Sequence, residues 1–169
     1  NFQDDDRREY GNNDGERGSI QQDETQYVRG TGVFLQTSLS MNESVSLTAG
    51  VRYDRSLFKA DDHFPVTAGV NEDDSGERTL DAFSPTVGIH VMVGPEVGLF
   101  ANYSSSFQTP TTVELGNRES GAGGFNPSPD PQTGKTFEMG VRGIASDRVS
   151  YELTFFNTRL QNEFIAFEN

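Results

Sequence analysis

A chain of 169 residues has the length of one domain, yet only 33% of it is hydrophobic, its formal charge is −13, and it has 18 glycines, no cysteine and no tryptophan. These figures exclude a disulfide framework, a thiolate metal site and a basic nucleic-acid face. No apolar run approaches the roughly 20 residues of a membrane-spanning helix, and no signal peptide or lipidation motif is visible. Averages this polar suit a disordered chain unless short apolar stripes alternate with long polar loops, as they do where only every second strand residue faces lipid.

In chain order, residues 1–30 cluster Asp, Asn, Gly and Gln without a period and read as loop. From Thr31, Val33, Leu35, Thr37 and Leu39 alternate with Phe34, Gln36 and Ser38, and Met41-Asn42-Glu43-Ser44 turns the chain. Val45, Leu47, Ala49, Val51 and Tyr53 then alternate with Ser46, Thr48, Gly50, Arg52 and Asp54. Residues 57–79 are a long polar loop. The central hairpin follows: Phe83, Pro85, Val87, Ile89, Val91 and Val93 form one stripe, Gly94-Pro95-Glu96 turns, and Val97, Leu99, Ala101, Tyr103 and Phe107 form the next. Pro85 lacks a ladder donor, so it belongs at a bulge or near the outer end of its strand. A second long loop, rich in Gly and Pro, covers residues 109–134. The last hairpin carries Phe137, Met139 and Val141, turns at Ser146-Asp147-Arg148, and continues through Val149, Tyr151, Leu153 and Phe155.

The expectation is six antiparallel strands near 31–40, 45–56, 80–93, 97–108, 135–145 and 149–160, joined by three tight turns and two long loops. Arms of about ten residues match a tilted strand that crosses a bilayer. Tight turns on one rim and long loops on the other are the rhythm of an outer-membrane barrel, so residues 1–30, 57–79 and 109–134 are read as extracellular and residues 31–169 as barrel. Those three segments carry 10 of the 13 excess negative charges. Tyr53, Phe83, Tyr103, Phe107, Phe137 and Tyr151 stand near strand ends, where aromatic girdles form. Leu47, Val51, Val87, Ile89, Val91, Leu99, Val141 and Leu153 should face lipid. Arg52, Asp54, Asn102, Glu138, Arg142 and Glu152 occupy the polar phase and should face the lumen, there to contact a plug or a substrate. A six-strand sheet cannot close a wide barrel, and Asn1 is no natural start, so the chain reads as a fragment.

Other chemistry finds little support. Gly134-Lys135-Thr136 would need a glycine at position 129 to end a phosphate loop, and Pro129 stands there. Gly121-Ala122-Gly123-Gly124 precedes no helix pattern. Asp61-Asp62-His63 and Glu72-Asp73-Asp74 lack calcium-loop spacing. His63 and His90 have no nucleophile pattern beside them. No catalytic residue, metal ligand or cofactor is expected, and the chain is not read as an enzyme.

The phrases GVFLQTSLSMNESVSLTAGVRYDRS, AFSPTVGIHV, LFANYSSSFQTPTTVEL and FNPSPDPQTGKTFEMGVRG, in this order and spacing, resemble the β-barrel of TonB-dependent outer-membrane receptors, the siderophore and vitamin transporters. The resemblance runs from about Gly30 to the end. It implies an all-β, transmembrane, up-and-down barrel of about 22 strands closed by an N-terminal plug, embedded in outer-membrane lipid. It also implies uptake of a scarce chelate, foremost a ferric siderophore, driven by TonB through a region not visible here. A non-energised porin-like barrel and a soluble secreted adhesin are the rival readings.

Overall fold

The computed structural model describes residues 2–67, 72–116 and 123–163. It holds one sheet whose strands lie in sequence order: β1 (Phe2–Asn13), β2 (Glu16–Ser40), β3 (Val45–Asp62), β4 (Gly76–Gly94), β5 (Val97–Gln108), β6 (Gln132–Ser146) and β7 (Val149–Gln161). A single helical turn, α1 (Thr112–Gly116), follows β5. The pairings β1–β2, β4–β5, β5–β6 and β6–β7 are antiparallel. The all-β fold is therefore as expected, with one strand more than the periodicity showed.

Residues 2–30, expected as loop, are the correction. They form a hairpin in which Asn13 pairs with Glu16 around Asp14 and Gly15, at φ of 52° and 93°. Two successive positive φ values make the turn that matches strand twist, and Asp-Gly is its strongest sequence signal. The side-chain amide oxygen of Asn12 accepts from the Gly15 N–H at 2.8 Å. Both faces of β1 are mostly exposed, so no apolar alternation marks it. The strands also extend into the two long loops, taking residues 57–62, 76–79 and 132–134. Parts of those loops, residues 68–71 and 117–122, lie outside the described residues, as does Gly121-Ala122 of the dismissed glycine run.

The chain divides into two compact units. The first comprises residues 1–31, 55–81 and 109–131. It contains every buried apolar side chain among the described residues: Phe58, Ala60, Leu80, Pro110 and Leu115, with Val28 and Phe125 packed against the cluster of Phe58, Leu80 and Leu115. Leu115 arrives there on α1, whose start is a reciprocal cap: Thr111 N–H donates to Glu114 Oε2 at 2.7 Å, and Glu114 N–H to Thr111 Oγ1 at 3.3 Å.

The second unit comprises residues 32–54, 82–108 and 132–169. Its register builds rows across the strands. Val91, Leu99, Val141 and Leu153 stand side by side, as do Ile89, Ala101, Met139 and Phe155. Tyr103 pairs with Phe137, and the rings of Tyr53 and Phe83 lie 4.8 Å apart on the same apolar phase. The β4–β5 register ends at Thr86, so Pro85 lies just past it in a strand that continues to Gly76. The turns are shorter than expected: Gly94 pairs with Val97 across Pro95-Glu96, and Ser146 with Val149 across Asp147-Arg148. At the remaining turn, Asn42 Oδ1 accepts from the N–H groups of Ser44 and Val45 at 2.8 and 2.9 Å.

Glycines on the polar phase leave room for neighbouring side chains. A Cβ on Gly98 would stand 2.5 Å from His90 Nε2, on Gly88 2.5 Å from Asn102 Oδ1, and on Gly140 2.7 Å from the Phe100 ring. At Gly140 the Leu153 carbonyl crowds the same space. Gly140→Ala is therefore expected to cost about 1–3 kcal/mol. Gly98→Ala, where only the His90 ring must turn aside, is expected to cost less. Urea unfolding of the full-length protein in detergent, followed by gel mobility of unheated samples, checks the order.

Candidate functional site

Alternation sorts the second unit into two chemically opposite faces. On the apolar face, large side chains are open: Phe83 is 68% exposed, Leu153 71% and Phe155 61%. Water would oppose so much contiguous apolar surface. The other face carries four parallel rows: Thr86, Ser104, Thr136 and Thr158; Gly88, Asn102, Glu138 and Phe156; His90, Phe100, Gly140 and Thr154; Met92, Gly98, Arg142 and Glu152. Hydroxyls within the first row bond each other, Thr136 Oγ1 and Thr158 Oγ1 lying 3.0 Å apart.

Four of the six sequence-predicted lumen residues, Asn102, Glu138, Arg142 and Glu152, line one open groove of about 530 Å³ with His90, Phe100 and Thr154. Arg142 and Glu152 face each other across the β6–β7 ladder, and the Arg142 guanidinium lies 5.7 Å from the Phe100 ring centre. No ion pair among the described residues closes this groove. Arg52 and Asp54 stand elsewhere on the polar phase, in a bidentate pair at 2.6 and 2.6 Å over Gly32. Such a fork fixes both groups. His90 Nε2 is buried against Gly98 with no hydrogen-bond partner among the described residues. Sequence reading missed Phe100, although period two alone puts its ring on the polar face.

The first unit has a cavity of its own, about 220 Å³, bounded by residues that include Arg7, Gln22, Glu24, Gln26, Asp74 and Thr112. Arg7 stands opposite Glu24 in the β1–β2 ladder. Gln26 Nε2 donates to Glu24 Oε1 at 2.5 Å, and Thr112 Oγ1 donates to Gln26 Oε1 at 2.7 Å. Reading residues 1–30 as loop hid this cluster. The Asp14-Gly15 turn would have revealed the hairpin, since period-two side chains Gln22, Glu24 and Gln26 then share a face.

Neighbouring carboxyls in this unit are driven in opposite directions. Asp74 is raised above the ordinary value of 3.8, chiefly by desolvation, then by the charges of Asp62 and Glu24. Asp73 is lowered, chiefly by hydrogen bonds from the Ser75 side chain and backbone. A raised folded-state value means that ionised Asp74 opposes local folding, and this opposition fades as pH falls through the folded value towards 3.8. Asp73 contributes stability above 3.8 that is lost as pH falls through its lowered value. Asp74→Asn is therefore expected to slow hydrogen exchange in segment 55–81 at neutral pH and to remove the upper part of its acid dependence. Exchange measured across pH in the full-length protein checks this.

Among the described residues no helix is long and apolar enough to cross a membrane, which says nothing of strands, and no group of acids and histidines is arranged to hold a metal. Residues 1–169 match the family model described as TonB dependent receptor-like, beta-barrel. The chain is 31% identical over 134 residues to the metal-pseudopaline receptor CntO of Pseudomonas aeruginosa, covering 78% of this chain but 17% of that protein. Its fold is similar to the ferric-catecholate import receptor Fiu of E. coli K12, with a TM-score of 0.65 at 15% identity over 96% of this chain and 28% of the other. It is also similar to the alcaligin outer-membrane receptor FauA of Bordetella pertussis, with a TM-score of 0.59 at 20% identity over 82% and 21%. The hemophore receptor HasR of Serratia marcescens gives 0.62 at 18% identity over 83% and 26%. With an all-antiparallel sheet bearing one exposed apolar face, and a family match along its whole length, this chain belongs to the TonB-dependent receptor β-barrels, transport receptors of the bacterial outer membrane.

Proposed function

We propose that this chain is part of a receptor that binds a metal chelate, foremost a ferric siderophore, at the outer surface and imports it with energy from TonB. The observation that carries the reading is the two-faced sheet of the second unit: an apolar face that only lipid satisfies, backed by open rows of Asn102, Glu138, Arg142 and Glu152. Both signs of charge on a water-side wall give a plug or a passing chelate something to bond. The relatives are consistent with the chelate class, since CntO is named for a metal chelate and Fiu for a ferric catecholate.

In this reading residues 1–30, 57–79 and 109–134 belong to the extracellular side, and the strands between and after them cross the bilayer. Arg52 and Asp54 form a rigid contact point on the lumen wall, and Asn102, Glu138, Arg142 and Glu152 form a more adaptable one. The partners are TonB, reached through a region outside this chain, the chelate, and outer-membrane lipid. A porin-like or adhesin role gains no support from any particular residue.

Two measurements test the proposal. Leu153→Arg places a charge on the lipid face and is expected to cost about 2–4 kcal/mol near the midplane, while Thr154→Arg, one residue on and beside the open groove, assembles normally. Equal assembly of both in outer membranes would contradict the facing. A strain without the complete gene, grown under iron limitation on a panel of ferric hydroxamate, catecholate and carboxylate chelates, is expected to lose uptake of at least one. Unchanged uptake of all, with the gene expressed in the parent, removes the siderophore assignment.

A further inference from the structure

At the rim of the long loops, the apolar phase of β5, β6 and β7 ends in a row of a different kind. Ser105 pairs with Lys135 and Lys135 with Arg159, one row beyond Tyr103, Phe137 and Asn157. Two residues of strand set that row roughly 7 Å past the Tyr103–Phe137 pair. Lys135 shares its phase with Phe137, Met139 and Val141, and Arg159 shares its own with Leu153 and Phe155. On the apolar phase of β4 to β7, no other described residue of the second unit is charged.

Both side chains are exposed, and neither has a hydrogen bond or ion pair among the described residues. The other bases of this unit stand beside acids: Arg52 is bonded to Asp54 at 2.6 Å, Arg142 faces Glu152 across the ladder, and Arg148 follows Asp147 in the turn. Lys135 faces Arg159 instead. Like charges directly opposite on one face of a ladder oppose its formation, with Cβ atoms only about 5 Å apart. An anion seated between the two heads reverses the sign of that contribution. Ser105 adds a hydroxyl donor to the same row.

The height of the pair selects the anion. Aromatic residues mark where a barrel leaves hydrocarbon, and Lys and Arg lay their stems along apolar surface while their heads reach the polar layer beyond it. An anion at this level, above rows that acyl chains cover, belongs to a lipid headgroup. A phosphate monoester carries about −1.5 to −2 charge at neutral pH, more than a diester, and so matches two cations. We propose that Lys135 and Arg159, with Ser105, clamp the monoester phosphate of an outer-leaflet lipid whose acyl chains lie along the apolar rows below. The inference rests on the receptor reading above for which rim faces outward.

The full-length receptor in detergent is titrated with dioleoyl phosphatidic acid, a monoester, and with dioleoyl phosphatidylglycerol, a diester with the same chains, and bound lipid is counted by native mass spectrometry. Phosphatidic acid is expected to bind several-fold more tightly. Lys135→Gln with Arg159→Gln should abolish this preference, each single replacement should weaken it, and Lys135→Arg should keep it. Arg148→Gln, in the turn at the other end of β6, should leave it unchanged. The double replacement removes a repulsion, so it is expected to fold, and the gel mobility of unheated samples checks that it does. Millimolar inorganic phosphate should not displace the lipid, because it lacks the chains that the apolar face holds. Equal affinity for the two lipids, a preference that survives the double replacement, or displacement by inorganic phosphate overturns the proposal. Chelate uptake is read separately in the strain without the gene, so the receptor reading can fail while the lipid preference stands, and the reverse.

Discussion

Everything in the second unit depends on an apolar face for which the described residues offer no cover. Among the described residues, every buried apolar side chain belongs to the first unit, yet the second carries rows such as Val91-Leu99-Val141-Leu153. At roughly 25 cal/mol per Å² of apolar surface, leaving such rows in water would oppose folding strongly. Hydrocarbon removes the penalty without a protein partner, while closed backbone ladders satisfy the polar main chain that lipid cannot. The bilayer thus takes the place of a core, and the low overall hydrophobicity stops being a paradox.

The first unit solves a different problem with the same strands. Water bathes both faces of β1, so hydrophobicity says nothing about its pairing, and order comes from ion pairs, a tight turn and the small Phe58-Leu80-Leu115 cluster. Exposed ion pairs contribute little singly. The helical turn at Thr112–Gly116 matters more, because its cap delivers Leu115 to full burial.

What was legible in the sequence follows this division. Where one face meets lipid, period two is enforced residue by residue, and β5 was delimited to Val97–Gln108 with its polar phase, Asn102 included, correctly separated from Leu99. Where both faces are wet, no alternation is selected, and residues 1–30 looked like loop. Their one legible mark was Asp14-Gly15, a local backbone signal rather than a pattern of hydrophobicity. The polar face divides likewise: the phase of Glu138, Arg142 and Glu152 was legible in the alternation, but their sharing a groove with His90 depends on inter-strand register, as the Glu24–Asp74 proximity depends on long-range folding.

Phase has a blind spot of its own: shifting one strand past its neighbour by two residues keeps every greasy side chain in lipid and every polar one in water. Solvation is indifferent to such a slip. The pockets above Gly88, Gly98 and Gly140 are not, since Asn102, His90 and Phe100 would each move from a bare backbone onto a side chain. These three glycines act as notches of a ratchet, choosing among alignments that lipid and water alone would leave degenerate.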